Sequence, residues 1–207
     1  MASRVVSVSQ STRERILEAA CDLIAAQGID EVRIARVARR AGASTALVHH
    51  YFSTREELLE QALIHSFELV GEERFPEGGD EAESATVGLA HAIRECLPEP
   101  GRQQRDWVLW VELWLRAVRE PDLRPVAARL YERYRRWMAA LIRAGVQSGE
   151  FRSDIDVDAV ANLAMALRDG VGVRALIADP AIDVETARAL VAERLAPQLG
   201  IEAAALS

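Results

Sequence analysis

Apolar residues recur at intervals of three and four positions along most of this chain, which is the spacing of one face of an α-helix. An alternation with a period of two, the pattern typical of a half-buried strand, is nowhere sustained. Glycines, prolines and short polar runs interrupt the helical pattern at Gly28, Gly42, residues 76–83, residues 97–100, Pro121, Gly149, Pro180 and Gly200. The pattern predicts an all-α protein of about nine helices.

The first predicted helix begins at a capping box. In Ser11-Thr12-Arg13-Glu14, the serine side chain can cap the helix while the glutamate reaches back to the serine backbone. An apolar stripe follows, made of Ile16, Ala20, Leu23 and Ile24. Gly28 is expected to end this helix.

Residues 34–52, IARVARRAGASTALVHHYF, predict two short helices joined by a tight turn. The inward-facing residues of the first are Ile34, Val37, Ala38 and Ala41. Gly42 ends this helix because glycine accepts the left-handed conformation, and Ser44 caps the next helix. The inward-facing residues of that helix are Leu47 or Val48, and Phe52. Such a helix-turn-helix can place its second helix in a DNA major groove; the alternative is an ordinary helical hairpin with a solvated basic face.

The distribution of charge favours DNA binding. The chain has a net charge of −7, which by itself argues against a nucleic-acid partner. Residues 1–55, however, hold eight arginines and five acidic residues, whereas residues 56–207 hold 17 arginines and 27 acidic residues. From Arg33 to Arg55 there are five arginines, two histidines and no carboxylate that would repel phosphate. The basic charge is therefore concentrated where the predicted motif would meet DNA.

Short motifs around the turn carry a resemblance to a known family. They are Val37-Ala38, Ala41-Gly42-Ala43-Ser44, Tyr51-Phe52-Ser53 and Glu56-Glu57-Leu58-Leu59. Together they resemble the DNA-binding segment of the TetR family of bacterial transcriptional regulators. The resemblance implies an N-terminal three-helix DNA-binding domain, followed by a C-terminal helical domain that binds an effector and forms a homodimer. The implied partner is double-stranded DNA with a two-fold symmetric operator.

The candidate DNA-binding side chains come from the start of the first helix and from the helix-turn-helix. They are Thr12, Arg33, Arg36, Ser44, Thr45, Ala46, His49, His50, Tyr51 and Arg55. Thr45 can bond a base edge or a phosphate, Ala46 can contact a thymine methyl group, and the Tyr51 hydroxyl can bond a phosphate. Arg33, Thr45 and His49 depart from the residues common in the family, so the operator sequence does not transfer with the resemblance.

A different role is considered for three of these candidates. Thr12 lies at the positive end of the first helix and can touch phosphate there, but a solvated cap fits equally well. His49 and His50 are adjacent, and neighbouring helical residues point about 100° apart. No carboxylate or cysteine is near them in the sequence, so we expect no metal, and we expect no cofactor.

We expect the DNA-binding domain to span residues 1–55 and the effector-binding and dimerisation domain to span residues 56–207. A second capping box, Ser53-Thr54-Arg55-Glu56, opens a helix that connects the two. Arg55 lies close to the position where the family usually carries a phosphate-contacting lysine. A polar break at residues 76–83 follows the connecting helix.

The last two predicted helices, capped by Asp156 and Asp183, are rich in small and branched apolar residues. Packed in pairs, they would form a four-helix bundle across a two-fold axis. The family resemblance implies the same dimer, and two-fold symmetric half-sites need a two-fold protein. The alternative is that both helices pack only within one subunit.

An aromatic constellation marks the second half of the chain. Trp107, Trp110 and Trp114 share one helix face, and Tyr131, Tyr134 and Trp137 lie downstream. They would line a ligand pocket that can hold a cation against their π-faces; the alternative is core or interface packing. Residues 109–117, 149–152 and 167–170 are similar to the C-terminal domain of the choline-responsive, betaine-pathway repressor subgroup. The similarity covers roughly residues 100–180 and does not identify an effector. The candidate ligand-binding residues are Phe67, Trp107, Trp110, Trp114, Arg116, Trp137 and Arg168.

Arg116 and Arg168 lie near apolar helix faces, where they can recognise an anion. The alternative is that they pair with neighbouring carboxylates, Glu112 and Asp169.

Two functions fit these residues. The first is a homodimeric, ligand-responsive regulator, specifically a repressor that a small molecule releases from its operator. The second is a helical enzyme or ligand carrier with an incidental helix-turn-helix, although the four histidines form no motif with cysteine, serine or carboxylate. The apolar runs are too short to span a membrane, and the first residues lack a secretory signal pattern. Cys21 and Cys96 show no metal-ligand spacing, so a cytoplasmic protein is expected.

Overall fold

The computed structural model describes residues 11–74 and 84–206, and it describes their side chains except those of residues 67–74. Within these ranges the chain forms nine α-helices and no strand, which confirms the all-α prediction. The helices are α1 (Thr12–Gln27), α2 (Ile34–Ala41), α3 (Thr45–Tyr51), α4 (Arg55–Arg74), α5 (Ala85–Glu95), α6 (Arg102–Arg119), α7 (Arg124–Ser148), α8 (Val157–Leu176) and α9 (Val184–Leu199). The predicted polar break at residues 76–83 lies outside the described residues.

Three short 3-10 turns accompany the α-helices. They are Ile29–Glu31, Pro121–Leu123 and Ala203–Leu206. The first joins α1 to α2, and the second precedes α7.

The chain divides into two compact units between Glu68 and Leu69. This point lies further along the chain than the boundary expected between residues 55 and 56. The reason is that the first turns of α4 belong to the core of the first unit. Four α4 residues are fully buried there: Leu58, Leu59, Ala62 and Leu63. The thiol of Cys21 on α1 also donates a hydrogen bond to the Ala62 carbonyl, at 3.1 Å.

Local capping signals set the ends of the helices in the first unit. The predicted capping box of α1 is present, with the Ser11 hydroxyl bonded to the Glu14 N–H and the Glu14 carboxylate bonded to the Ser11 N–H. The predicted box at the start of α4 is displaced by one residue. Thr54 accepts from the Glu57 N–H, and the Glu57 carboxylate accepts from the Ser53 N–H.

The second unit is built from α5 to α9 around one main core. Helix α8 packs between α7 and α9, and α5 contacts both α7 and α9. The core residues include Leu89, Ile93, Met138, Ile142, Phe151, Val160, Ala161, Ala164, Val191, Leu195 and Leu199. Asp156 and Asp183 cap α8 and α9 as predicted, since their carboxylates accept from the N–H groups of Ala159 and Thr186.

Glu150, in the connection between α7 and α8, caps a helix far away in the sequence. Its carboxylate accepts hydrogen bonds from the Ser84 hydroxyl and from the N–H groups of Ala85 and Thr86 at the start of α5. These bonds satisfy helix N-terminal donors and favour negative charge at the positive end of the helix. They lower the pKa of Glu150 from 4.5 to about 2, with the Ser84 hydrogen bond as the largest cause.

None of the helices in the described part of the chain combines the length and apolarity that crossing a membrane requires.

Candidate functional site

The predicted helix-turn-helix is formed by α2, a tight turn and α3. Gly42 adopts the left-handed conformation, with φ 63° and ψ 36°, and ends α2. The Ser44 hydroxyl then accepts a hydrogen bond from the Leu47 N–H, at 3.1 Å, and caps α3. Val37, Val48 and Phe52 are fully buried. Of the two inward residues that the sequence left open, Val48 is the buried one and Leu47 is half-buried.

The opposite side of α3 is exposed. Thr45, Ala46, His49 and His50 are all solvent-accessible, and Tyr51 is 38% exposed. The rings of His50 and Tyr51 meet edge to face at 5.3 Å between centroids. Hydroxyl, methyl, imidazole and phenol groups thus share one surface, and Ser44 keeps an O–H that can donate. Such a surface can contact base edges and phosphates.

The arginines of the segment have different environments. Arg36 is exposed, and within the described residues it has no hydrogen bond or ion pair. Arg40 instead pairs with Asp22 on α1 at 2.7 Å. Arg33 is exposed and donates to the Asp30 carbonyl at 2.6 Å. Arg36 therefore has its charge available to phosphate, while Arg40 mainly ties α2 to α1.

Arg55 points into its own unit. Its Nε donates to the Val32 carbonyl at 2.7 Å, and one terminal nitrogen donates to the carbonyls of Ile29 and Asp30, at 2.7 and 3.0 Å. The other terminal nitrogen lies 3.3 Å from the Glu56 carboxylate. This guanidinium holds the turn before α2 against the start of α4. This geometry supports a positioning role for Arg55, and the phosphate contact that the family resemblance implies stays a prediction.

Thr12 is half-buried at the first position of α1, and its hydroxyl accepts a long hydrogen bond of 3.5 Å from Arg15. The geometry is compatible with both alternatives named for this residue, a phosphate contact and a simple cap.

The aromatic constellation forms one cluster between α6 and α7. Trp110 meets Trp114, Tyr131 and Tyr134 edge to face, at 5.3 to 5.4 Å between ring centroids. Trp114 also stacks on Tyr131 at 5.9 Å and meets Trp107 at 6.4 Å. The three tryptophans do share a face, as their spacing predicts.

Trp137 packs instead as a half-buried residue against the main core of the second unit. The remaining aromatic candidate, Phe67, has a side chain outside the described residues.

Arg168 of α8 lies within this cluster. Its guanidinium carbon is 4.7 Å from the Trp107 ring centroid, 5.0 Å from that of Trp110 and 4.7 Å from that of Tyr134. The residue is only 6% exposed. Its Nε donates to the Cys96 carbonyl at 3.2 Å, and a terminal nitrogen donates to Asp169 at 2.9 Å. Of the two roles named for this arginine, the structure contains the pairing with Asp169.

Arg116, the other arginine candidate, pairs with Glu120 at 3.4 Å. The sequence had offered Glu112 as its partner. Glu112 and Glu120 lie four residues before and after Arg116, so helical spacing alone does not distinguish the two partners.

A buried hydrogen bond extends the Arg168–Asp169 pair to α7. The Tyr131 hydroxyl donates to Asp169 at 2.8 Å. Burial raises the pKa of Tyr131, and the Asp169 carboxylate raises it further, so this phenol keeps its proton. Burial also raises the pKa of Asp169, while the charge of Arg168 and the two hydrogen bonds oppose that change.

Two groups that contribute to the cluster were not identified from the sequence. The backbone carbonyl of Cys96 accepts from Arg168 and also from the indole N–H of Trp107, at 3.1 Å. Gly172 provides space on α8, since a Cβ atom at this position would overlap the Trp107 ring. A glycine inside an apolar helix costs stability, and this cost was the available signal that Gly172 permits close packing.

An open groove of about 460 Å³ lies beside the cluster. It is lined by Trp114, Ala117, Val118, Arg124 and Ala127. Arg124 donates to the carbonyls of Ala117 and Val118 at the end of α6, at 3.2 and 3.4 Å. Trp114 belongs to both the cluster and the groove, so it is the ligand candidate that a bound molecule can reach there.

Two family models match this chain. Residues 16–62 match the model described as bacterial regulatory proteins, tetR family. Residues 85–200 match the model described as BetI-type transcriptional repressor, C-terminal. The first match covers the helix-turn-helix, and the second covers α5 to α9.

Whole-chain relatives agree with these models. The chain is 25% identical to the HTH-type transcriptional regulator BetI 1 of Chromohalobacter salexigens over 190 residues, 90% of both chains. It is 27% identical to BetI of Brucella canis over 187 residues, 90% of this chain and 91% of the relative.

Solved structures show the same similarity. A transcriptional regulator from Saccharomonospora viridis in complex with choline is 31% identical, with a TM-score of 0.78 over 87% of this chain and 93% of that one. A TetR-family regulator from Rhodococcus sp. is 29% identical, with a TM-score of 0.74 over 91% and 98% of the two chains. These relatives are named as transcriptional regulators, and the alternative of a helical enzyme is set aside on that ground.

Proposed function

Since this chain belongs to the TetR family of bacterial regulatory proteins, with a C-terminal domain of the BetI-type repressors, we propose that it is a homodimeric repressor of transcription. A small molecule bound by the α5–α9 unit releases it from its operator. The observation that carries the proposal is the exposed face of α3, which follows a glycine turn and lies beside Arg36, whose exposed side chain has no ion pair with any described residue.

Operator recognition is assigned to α3 and its surroundings. Thr45, Ala46 and His49 reach base edges, because they are exposed near the start and middle of a short helix that would enter the major groove. His50, Tyr51, Ser44 and Arg33 contact phosphates or bases at the edge of this surface, and Thr12 contacts phosphate at the start of α1. Arg36 supplies a phosphate contact. Arg55 acts through the turn that it holds.

Dimerisation is assigned to the outer face of α8, together with α9. Small or apolar residues follow one another on α8 at alternating intervals of four and three: Ala159, Leu163, Ala166, Gly170 and Val173, with Ile177 directly after the helix. Each is exposed or half-buried in the single chain, and Ile177 is 69% exposed. A Cβ atom added at Gly170 would meet no atom of the described residues within 4 Å, so none of their contacts explains this glycine. In the proposed dimer, α8 of a second copy packs closely against this stripe and buries it.

The effector site is assigned to the groove beside Trp114 and the aromatic cluster. The groove has a volume within the range of small-molecule pockets, and its lining is mainly apolar. The relative in complex with choline supports a small organic effector for a protein of this kind. The residues proposed for this region are Trp107, Trp110, Trp114, Arg116 and Arg168. Of the other two candidates, Trp137 packs against the main core, and the side chain of Phe67 lies outside the described residues.

Release follows from a shift between two conformations of the dimer. The operator-binding conformation presents its two α3 helices about 34 Å apart, to match successive major grooves, and the effector favours a different spacing. Helix α4 begins in the first unit and runs past the unit boundary, so it carries the displacement. An effector needs about 5.5 kcal/mol of differential affinity to move the dimer from 1:99 to 99:1.

The proposal is tested by fluorescence anisotropy on the intergenic DNA upstream of the chain's own gene, with scrambled DNA of equal length as the control. Repression by this surface predicts tight binding that resists unlabelled non-specific DNA, with two subunits or a multiple per site. Arg36→Ala is compared with Arg143→Ala, which removes an exposed arginine from α7. Loss of affinity in the first variant alone supports the assignment, whereas equal and salt-sensitive binding of both DNAs contradicts the proposed operator.

A further inference from the structure

The aromatic cluster of the second unit already contains a cation. Trp107, Trp110 and Tyr134 place their ring centroids 4.7 to 5.0 Å from the guanidinium carbon of Arg168. These distances lie within the range at which an aromatic face attracts a cation. All three rings are at least 96% buried, so water competes little for the charge.

Several polar contacts hold Arg168 in this position. The Cys96 carbonyl and the Asp169 carboxylate accept hydrogen bonds from the guanidinium, and Tyr131 fixes the far oxygen of Asp169. The indole N–H of Trp107 donates to the same Cys96 carbonyl, so Trp107 and Arg168 share one hydrogen-bond acceptor. Gly172 lets the Trp107 ring approach α8, the helix that carries the arginine. The site is therefore built around a cation by four separate elements.

We propose that Trp107, Trp110 and Tyr134 form a cage for a monovalent organic cation, that Arg168 is its built-in occupant, and that this arginine determines ligand specificity by closing the cage to free quaternary ammonium and guanidinium ions. The inference goes beyond the regulator proposal and uses only the second unit. In the natural protein, an effector therefore binds beside the cage, in the groove at Trp114, and not between the three rings.

Removal of the occupant provides the test. In Arg168→Ala, the three rings and the Asp169 carboxylate remain, and a cavity close to the size of a guanidinium group opens between them. We expect this variant to bind tetramethylammonium and methylguanidinium at least about tenfold more tightly than the natural protein does. Quenching of tryptophan fluorescence measures the binding, because two of the three cage residues, Trp107 and Trp110, are tryptophans. No DNA is present, so the result is independent of operator binding.

Matched controls separate the cage from general effects. Arg174→Ala removes an exposed arginine from the same helix, where it pairs with Asp179, and should bind these cations no better than the natural protein. Arg168→Lys keeps a cation at the site and should stay closed to tetramethylammonium. Methylurea is a neutral analogue of methylguanidinium and should leave the fluorescence of Arg168→Ala unchanged.

A second measurement applies if Arg168→Ala folds poorly. If Arg168→Ala loses its cooperative unfolding transition, methylguanidinium at about 20 mM should restore it, and methylurea should not. The proposal is overturned if the natural protein binds tetramethylammonium as tightly as Arg168→Ala does. It is also overturned if the alanine variant neither binds nor is rescued by either cation, because Arg168 would then be only a buried structural residue.

Discussion

The indole ring of Trp107 lies against the backbone of Gly172 so closely that any side chain at position 172 would overlap it. Gly172→Ala should therefore lower the free energy of unfolding by about 1–3 kcal/mol, the usual cost of overpacking. Urea unfolding followed by tryptophan fluorescence measures this loss.

Gly88→Ala is the matched control, because its added Cβ would lie 3.4 Å from Leu141, an ordinary contact. This variant should be neutral or gain up to about 1 kcal/mol, since alanine favours a helix more than glycine does. Equal effects of the two substitutions would show that the ring does not pack against α8 in solution.

Arg55 is predicted to support operator binding indirectly. Arg55→Ala removes the donors that hold the carbonyls of Ile29, Asp30 and Val32, and should destabilise the first unit by about 1–3 kcal/mol. Its effect on DNA binding should be a loss of affinity with an unchanged dependence on salt, because no phosphate contact is lost. Thermal unfolding and anisotropy at several salt concentrations provide both measurements.

Arg36→Ala provides the opposite pattern. We expect unchanged thermal stability and a slope of log affinity against log salt that is reduced by about 1. A reduced slope in Arg55→Ala would instead place that guanidinium on a phosphate and contradict the positioning role.

The proposed dimer predicts that a charge on the outer face of α8 separates the subunits. Ala166→Arg places a long cation in the middle of the stripe and should convert the dimer to monomers at micromolar concentration. Ala140→Arg makes the same substitution at an exposed position of α7 and should leave the dimer intact. Sedimentation velocity distinguishes the two. If Ala166→Arg stayed dimeric, the dimer interface would have to lie on another surface.

The Glu150 cap predicts a stability difference that depends on pH. The folded pKa of about 2 lies below the ordinary value of 4.5, so the carboxylate contributes stability above pH 4.5 and loses it as the pH falls towards 2. The residue is half-buried and partly in contact with solvent, so screening reduces this contribution to the order of 1 kcal/mol. Glu150→Gln should therefore unfold at lower urea concentration than the natural protein at pH 7, with the gap shrinking below pH 4.5. A gap that is the same at pH 7 and pH 3 would exclude the charge as its cause.

Much of the first unit follows from signals that act within a few residues. The Ser11 capping box, the left-handed Gly42 and the Ser44 cap each depend on near neighbours, and all three are present as predicted. The α4 cap was displaced by one residue because Ser53 and Thr54 are both hydroxyl residues, and Glu56 and Glu57 follow at equivalent spacing. Local sequence alone offers two overlapping solutions there.

The directions of the arginine side chains could not be predicted in the same way. Arg55 turns inward to carbonyls that lie 23 to 26 residues earlier, and Arg168 reaches the Cys96 carbonyl across 72 residues. Helical periodicity places both residues on a face, but it carries no information about such distant acceptors. The tryptophan spacing, in contrast, does bring three rings together, since all three belong to one helix. The cation that lies against two of these rings, Arg168, comes from α8, and the spacing within α6 gives no information about it.

The Cys96 carbonyl lies at the end of α5 and accepts hydrogen bonds from Trp107 of α6 and Arg168 of α8. Three helices therefore meet at a single oxygen atom. Every amino acid supplies this oxygen, so the two hydrogen bonds do not themselves require a cysteine at position 96. Small replacements such as serine or alanine should be tolerated there, whereas the donors at 107 and 168 have no such freedom. Only the side chains at positions 107 and 168 are therefore required for these hydrogen bonds, although three helices meet at the carbonyl.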